Sequence, residues 1–501
     1  VTIRIGAAPL VIADVVAIAR DRAAVLLDDA ARARVAAARR VVDDLAEGPA
    51  SVYGLNSALG ANTGARLDPA DMVDYQARAV RARAVGVGPP YPAASVRAIM
   101  AARIAGMAAG GSGVSPAVLD ALVALLNAGV HPRVPRFGSI GAADLPQLSH
   151  LALPLIGEGR AEHRGEDLSA AEALARVGLS PVALCAKDGL ALVSANSAAV
   201  GRAALVLHDA GRLLDHALVG AGLSFEGFRA NLSPLDARAV LSRPAPGQVE
   251  VAARLRALFA GGALAAGPAR RVQDPLSFRV VAQVHGAARW MLDEAIRLTE
   301  LELNAAADSP LVLARDNVML SNGNFDAAQL TLALEALGIA LAHVGNVITG
   351  RVLRMMAPGL SGLPLQLTRH GPAHSGFATL QKTATALAAA LRRAAQPSSL
   401  DAIPVSESVE DHAPMTLIVV EKIAGALEPL RYLVAIEHVV AAQAVDLRGI
   451  ARDMLGAGLR DAYAAVRAAV APLDEDRPLG PDVDRVAAML ARDLVTVEPP
   501  A

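Results

Sequence analysis

The chain has one cysteine, Cys185, in 501 residues. An intramolecular disulfide framework and any multi-cysteine metal or iron–sulfur site are therefore excluded. Aromatic residues make up 3%, too few for a strand-rich fold that depends on β-branched and aromatic side chains. Neither sign of charge is in excess: 47 Lys+Arg stand against 49 Asp+Glu, a net charge of −2. That balance supplies no field for gathering nucleic acid or anionic lipid. The glycine-rich stretches lack the strand–loop–helix setting and Lys-Ser/Thr ending of a phosphate-binding loop. Eleven histidines are present, but no His-Glu-x-x-His pair occurs, so no metal site is expected. The most apolar stretch, Leu330 to Val347, carries Glu335 and His343 and reads as a buried helix, not a membrane span. The first residues lack a basic segment followed by an apolar one, which predicts no secretory signal and a reducing, cytoplasmic setting.

What is present is helix-forming. Hydrophobic residues reach 53%, and alanine, leucine and arginine dominate long segments. Leu380, Ala384, Leu387 and Leu391 recur on one helical face, as do Val419, Ile423, Leu427 and Leu430. The pattern predicts an all-α fold built from a bundle of long helices. A compositional shift near residue 195 predicts two parts, a loop-rich helical N-terminal domain (1–195) and a C-terminal helical bundle (196–501). Alanine-rich helices bury little area each, and weakly charged long helices point to an oligomer in which an apolar stripe is an interface.

One segment carries more information than composition does: His131-Pro-Arg-Val-Pro-Arg-Phe-Gly-Ser-Ile-Gly141-Ala-Ala-Asp144-Leu-Pro-Gln-Leu-Ser-His150, followed by a stretch ending Gly-Glu-Gly. It resembles the HP-x-VP…GS-V-G-ASG-DL…H segment of the histidine and aromatic amino acid ammonia-lyase family. Other blocks resemble that family in the same order. They are Tyr53-Gly-Leu-Asn56, Ala84-Val-Gly-Val-Gly88, Lys187-Asp-Gly-Leu-Ala-Leu192, Gln273-Asp-Pro-Leu276 with Arg279, Glu302-Leu-Asn304, Gly323-Asn-Phe325, Ser375-Gly-Phe377 and Glu410-Asp-His412. The likeness spans roughly residues 10 to 460. It implies the long-helix bundle of the aromatic amino acid lyase and fumarase type, with the C-terminal part serving tetramerisation. A homotetramer of dihedral symmetry, each site drawing on three subunits, is the implied assembly.

The resemblance also implies site residues. Tyr53 takes the position of the base that removes the β-proton. Arg279 matches the carboxylate clamp, with Gln273 beside it. Phe325 matches a wall of the pocket, and Glu410 the position that faces an imidazole. The departures are equally informative. In the family, Ala-Ser-Gly cyclises into a methylidene-imidazolone, an electrophilic prosthetic group whose methylene comes from serine. Here the loop reads Gly141-Ala142-Ala143-Asp144, one residue shorter and without serine. The asparagine that supports the group is replaced by Ser194, the tyrosine of the QDPYS block by Leu276, and a histidine associated with imidazole substrates by Arg83. Lys382 stands where the family has an apolar residue.

A loop with no serine hydroxyl to eliminate forms no methylene, so no prosthetic group is expected. A primary ammonium then loses its own proton before the β-carbon does, whereas a quaternary ammonium cannot and departs as a neutral amine. Tyr53 as base, with Lys382 or Arg83 as a cation near the substrate ring, would supply general-base and electrostatic catalysis. The expected reaction is α,β-elimination of an amine from a histidine-like amino acid or betaine, similar to the ergothionase branch, which converts ergothioneine to thiolurocanate and trimethylamine. Two alternatives stay open: an ammonia-lyase carrying the prosthetic group, and an inactive homologue serving as a binding subunit.

Overall fold

The computed structural model describes residues 1–48, 55, 69–400 and 403–492. Long helices dominate, as the alanine and leucine content predicts: Ser197–Phe228, Val281–Leu303, Ala328–Met355 and Thr416–Leu447 span 32, 23, 28 and 32 residues. The helix Leu380–Ala394 shows how the sequence sets burial. Leu380, Ala384, Ala388 and Leu391 form its buried stripe, and Arg392 and Arg393 sit in its last turn, where the helix dipole favours cations. Val419, Ile423, Ala426 and Leu430 play the same part further along. Two helical stretches, Asp188–Phe228 and Ala328–Met355, are long and apolar enough to cross a bilayer, yet 94% and 61% of their most apolar windows are buried inside the chain. The second contains the Leu330–Val347 stretch, a core helix as expected.

Strands are short and peripheral to this scheme. Thr2–Ile5 pairs in parallel with Ala24–Leu27, and Val130–Pro132, Arg160–His163 and Glu166–Ser169 form a three-stranded antiparallel sheet. A hairpin lies further along the chain: Leu311–Leu313 pairs with Val318–Leu320. Its turn is made by Arg315-Asp316-Asn317, with Asn317 in the left-handed region at φ +52°, a conformation asparagine tolerates better than most residues.

Cα packing divides the chain differently from the expected boundary at 195/196. Unit 1 comprises Val1–His208, Ala295–Ala333 and Pro397–Glu421; unit 2 comprises Asp209–Glu294, Leu334–Gln396 and Lys422–Ala501. Four of the five breakpoints fall inside the long helices. A boundary of that kind leaves no linker composition to read. Each unit has a buried ion pair. In unit 1, Arg103 donates to Asp308 at 2.7 Å. In unit 2, Arg351 holds both oxygens of Glu437 at 2.5 and 3.0 Å, and the same carboxylate accepts from Ser224 Oγ at 2.8 Å.

Candidate active site

The degenerate loop is a tightly determined piece of backbone in unit 1. Gly141 has φ +86°, and a Cβ there would lie 2.8 Å from the amide nitrogen of Thr416 and 2.9 Å from that of Met415. The Met415 amide donates to the Ile140 carbonyl at 2.9 Å, so glycine is needed both for its dihedral and for the approach of a second strand of backbone. Ala142 forms an isolated antiparallel bridge with Asp326. Ala143 is buried with φ +61°, a left-handed conformation that costs a non-glycine residue about 1–2 kcal/mol.

Asp144 ends the loop and is its electrostatic centre. Its side chain is fully buried; Oδ1 accepts from Ser139 Oγ at 2.6 Å and Oδ2 from the Ala199 amide at 2.8 Å. Ala199 lies in the first turn of the helix Ser197–Phe228, where free amides favour an anion. Burial still dominates and pushes the carboxyl up from 3.8 to about 6, against the hydrogen bonds that pull it down. The Asp144 amide donates to the Ala195 carbonyl at 2.8 Å, which ties the loop to the segment holding Ser194 and Asn196.

That segment is positioned by the Lys187-Asp-Gly block. Lys187 is buried, donates to the Ser112 carbonyl, and is pushed down to about 8 by desolvation. Asp188 accepts from the Ser115 amide at 2.7 Å, from Ser115 Oγ at 2.8 Å and from the Cys185 amide at 2.8 Å. These contacts fix the helix Asp188–Val193, and Ser194, buried, closes it as its C-terminal cap. Asn196 was not singled out in the sequence, yet it is the polar group aimed at the loop's neighbours. Its Nδ2 donates to the Phe325 carbonyl, and its Oδ1 is buried without a hydrogen-bond partner.

Phe325 is half-buried and adjoins Asp326, whose carboxylate accepts from the Ala328 amide at 2.8 Å and lies 3.3 Å from His412 Nε2. Through that contact the Glu410-Asp-His412 block reaches the loop. Glu410 is half-buried, accepts from Ser406 Oγ at 2.9 Å and pairs its backbone with Val405. Glu302, also missed in the sequence, shares with Asn196 a cavity of about 20 Å³, room for one water. Burial first, and then the Asp326 charge, push the Glu302 carboxyl up to about 7. Its position two residues before Asn304 gave no signal beyond the matched block.

Tyr53 lies outside the described residues. Arg83 ends the helix Pro69–Arg83 and donates to the Ala79 carbonyl at 3.0 Å. Gln273, Arg279 and Lys382 belong to unit 2. Arg279 donates to Gln273 Oε1 at 3.2 Å, beside the exposed Val272 and Leu276, and Lys382 is exposed on its helix. In unit 1, then, the structure gathers the Gly141–Asp144 loop, Phe325 and the Glu410 block, with Ser194 alongside. Two other tyrosines are unsuited to act as bases. Tyr91 donates to Glu421 at 3.1 Å, and burial plus that carboxylate raise its phenol far above the ordinary range. Tyr463 is pushed up to about 12 by burial and Asp446.

Residues 10–468 match the model of the aromatic amino acid lyase family. The chain is 39% identical to a histidine ammonia-lyase of Symbiobacterium thermophilum, over 96% of this chain and 95% of that one. A histidine ammonia-lyase of Treponema denticola is 37% identical over 97% and 96%. Among solved structures, ergothionase from Treponema denticola, in complex with desmethyl-ergothioneine sulfonic acid, superposes with a TM-score of 0.94 at 31% identity, covering 98% and 99% of the two chains. Tyrosine aminomutase from Streptomyces globisporus follows the same fold with a TM-score of 0.92 at 33% identity, over 98% and 97%. The chain is a carbon–nitrogen lyase and belongs to the aromatic amino acid lyase family.

Proposed function

We propose that this lyase eliminates a tertiary amine from a histidine-derived betaine, ergothioneine being the model substrate, without a methylidene-imidazolone. The observation that carries the reading is the Gly141-Ala142-Ala143-Asp144 loop. Members of the family normally use an internal prosthetic group, and this loop has no serine to make it. The nearest serine, Ser139, donates its hydroxyl to Asp144 and accepts the Gly141 amide at 3.0 Å. It lies before the loop, not within a cyclisable triad, and its oxygen is committed to holding Asp144. The residues present do not fit the group.

The reaction then runs on acid–base chemistry and charge. Tyr53 as phenolate takes the β-proton; the Cβ–H pair forms the new double bond as the Cα–N bond breaks and its electrons leave on the amine. The products are an acrylate, neutral trimethylamine and a protonated Tyr53. Arg279 clamps the substrate carboxylate, a task suited to a planar guanidinium fork, and its bond to Gln273 pre-orients it. Lys382 stabilises the electron-rich ring, with Arg83 as a second cation, while Glu410 faces the ring nitrogens and Phe325 its plane. Ser194 opens space at the place where the family supports its prosthetic group. A homotetramer completes the site: the exposed Val272 and Leu276 beside Arg279 suit an interface better than solvent.

A second reading, histidine ammonia-lyase, is favoured by the names of the similar sequences. A panel of ergothioneine, histidine betaine, histidine, phenylalanine and tyrosine separates the two. Trimethylamine release with build-up of a conjugated near-ultraviolet chromophore, and no ammonia from the primary amino acids, is the expected pattern. Turnover of histidine alone would replace the first reading by the second.

A further inference from the structure

Two histidines that the site does not use meet two carboxylates in unit 2. His370 and His374 lie on the loop before the helix Leu380–Ala394, and their rings meet at a tilt of 33° with centroids 4.5 Å apart. His374 Nε2 is 3.0 Å from Glu475 Oε2; His370 Nε2 is 3.4 Å from Asp474 Oδ1 and 3.8 Å from Glu475 Oε1. One donor atom each from His370, His374 and Glu475 falls within 4.8 Å of the others. His370 Nε2 and His374 Nδ1 are both buried without a hydrogen-bond partner, the mark of imidazoles whose aim is not explained by the protein around them. Each ring lies within ion-pair range of a carboxylate, yet His370 Nε2 makes no hydrogen bond to either one. Two imidazoles and two carboxylates offer four donors, and the two carboxylates balance the charge of one dication.

We propose that His370, His374 and Glu475, with Asp474 as fourth donor, bind a divalent transition-metal ion of the zinc class. Ligands at 2.0–2.1 Å around a tetrahedral ion stand about 3.3 Å apart; the histidine–carboxylate separations run from 3.0 to 3.8 Å, and the three donors of His370, His374 and Glu475 lie within 4.8 Å of one another, so small side-chain shifts close the site. Imidazole with carboxylate selects zinc, nickel or cobalt over calcium and magnesium, which prefer all-oxygen shells. Four protein donors leave no open position, so the ion is structural. It clips the 368–379 loop to the 470–479 loop, where Asp476 already accepts from the Ser375 and Gly376 amides at 2.7 and 2.9 Å. The loop so held leads into the helix that carries Lys382. A reading of the sequence alone overlooks this cluster because the two histidines stand four apart without the motif of a helical zinc site, and their carboxylate lies 101 residues away.

The test is independent of substrate identity. Tag-free full-length chain, dialysed against chelator and then against metal-free buffer, is titrated with zinc chloride by calorimetry and by thermal unfolding. One zinc per chain is expected, with a rise in melting temperature. Affinity should fall on the order of 10–100-fold or more in Glu475→Gln and be lost in His370→Ala/His374→Ala. Glu475 is exposed, so its variant keeps the experiment decisive if the double variant folds poorly. Binding weaker than about 100 µM, or tight binding equal in the parent and all variants, would overturn the assignment.

Discussion

Asp144 offers a perturbation whose size follows from the geometry. Its folded-state value of about 6 lies above the ordinary 3.8, and at 1.36 kcal/mol per pKa unit the gap corresponds to about 3 kcal/mol. Because the folded value is raised, the proton is bound more tightly in the folded chain than in the unfolded one. The stability it confers is fully present below pH 3.8 and is lost as pH rises through about 6. Between pH 4.5 and pH 7 the linkage amounts to about 2 kcal/mol. Asp144→Asn keeps the side chain's shape and an acceptor for the Ala199 amide but cannot titrate. Asp144→Ala leaves the Ser139 hydroxyl and the Ala199 amide without acceptors, at about 1–3 kcal/mol each, and gains back the charge-burial cost only at neutral pH. Urea unfolding at fixed protein concentration, from pH 4.5 to 7, should show the parent losing about 2 kcal/mol more than Asp144→Asn as pH rises. Asp144→Ala should be the least stable at pH 4.5. Parallel pH profiles for parent and Asp144→Asn, or a difference of opposite slope, would refute the argument.

Other outcomes follow from the same contacts. Gly141→Ala combines a left-handed dihedral with backbone nitrogens within 2.9 Å of the new Cβ; a loss of about 2 kcal/mol or more should appear in thermal unfolding. Glu437→Gln leaves the Arg351 charge fully buried with half its partner and should cost about 3–5 kcal/mol, read as a lowered urea midpoint at unchanged slope. Tyr53→Phe should abolish amine release while leaving the melting temperature in place. Arg279→Met should raise KM and lower kcat together, because the clamp also orients the β-proton; a change confined to KM would reduce it to simple binding.

How much was legible in the sequence differs between scaffold and site. Alanine and leucine at helical spacing gave the long helices, although Ala388 is buried where Leu387 was expected and Leu387 is half-buried beside it. The division into units was not legible, since four of its five breakpoints lie within continuous helices. Collinear motifs located the Gly141–Asp144 loop, Phe325 and Glu410, because each carries a local pattern. Asn196 and the His370–His374–Glu475 cluster have none, and the block that contains Glu302 does not mark it as a site residue. Their significance arises from what a buried oxygen lacks, from a one-water cavity, or from loops distant in sequence that converge in space. The Lys187-Asp188 pair was matched as part of a block, and the structure shows what that block does: two buried groups lock the helix that delivers Ser194 and Asn196.

The proposed elimination runs on a chain that carries no cyclised electrophile. Intact mass spectrometry on the same preparation that is assayed with ergothioneine tests it most directly. A mass equal to that of the unmodified polypeptide, in protein that releases trimethylamine, is the predicted result. A mass lower by two waters, in protein that releases ammonia from histidine, would contradict it.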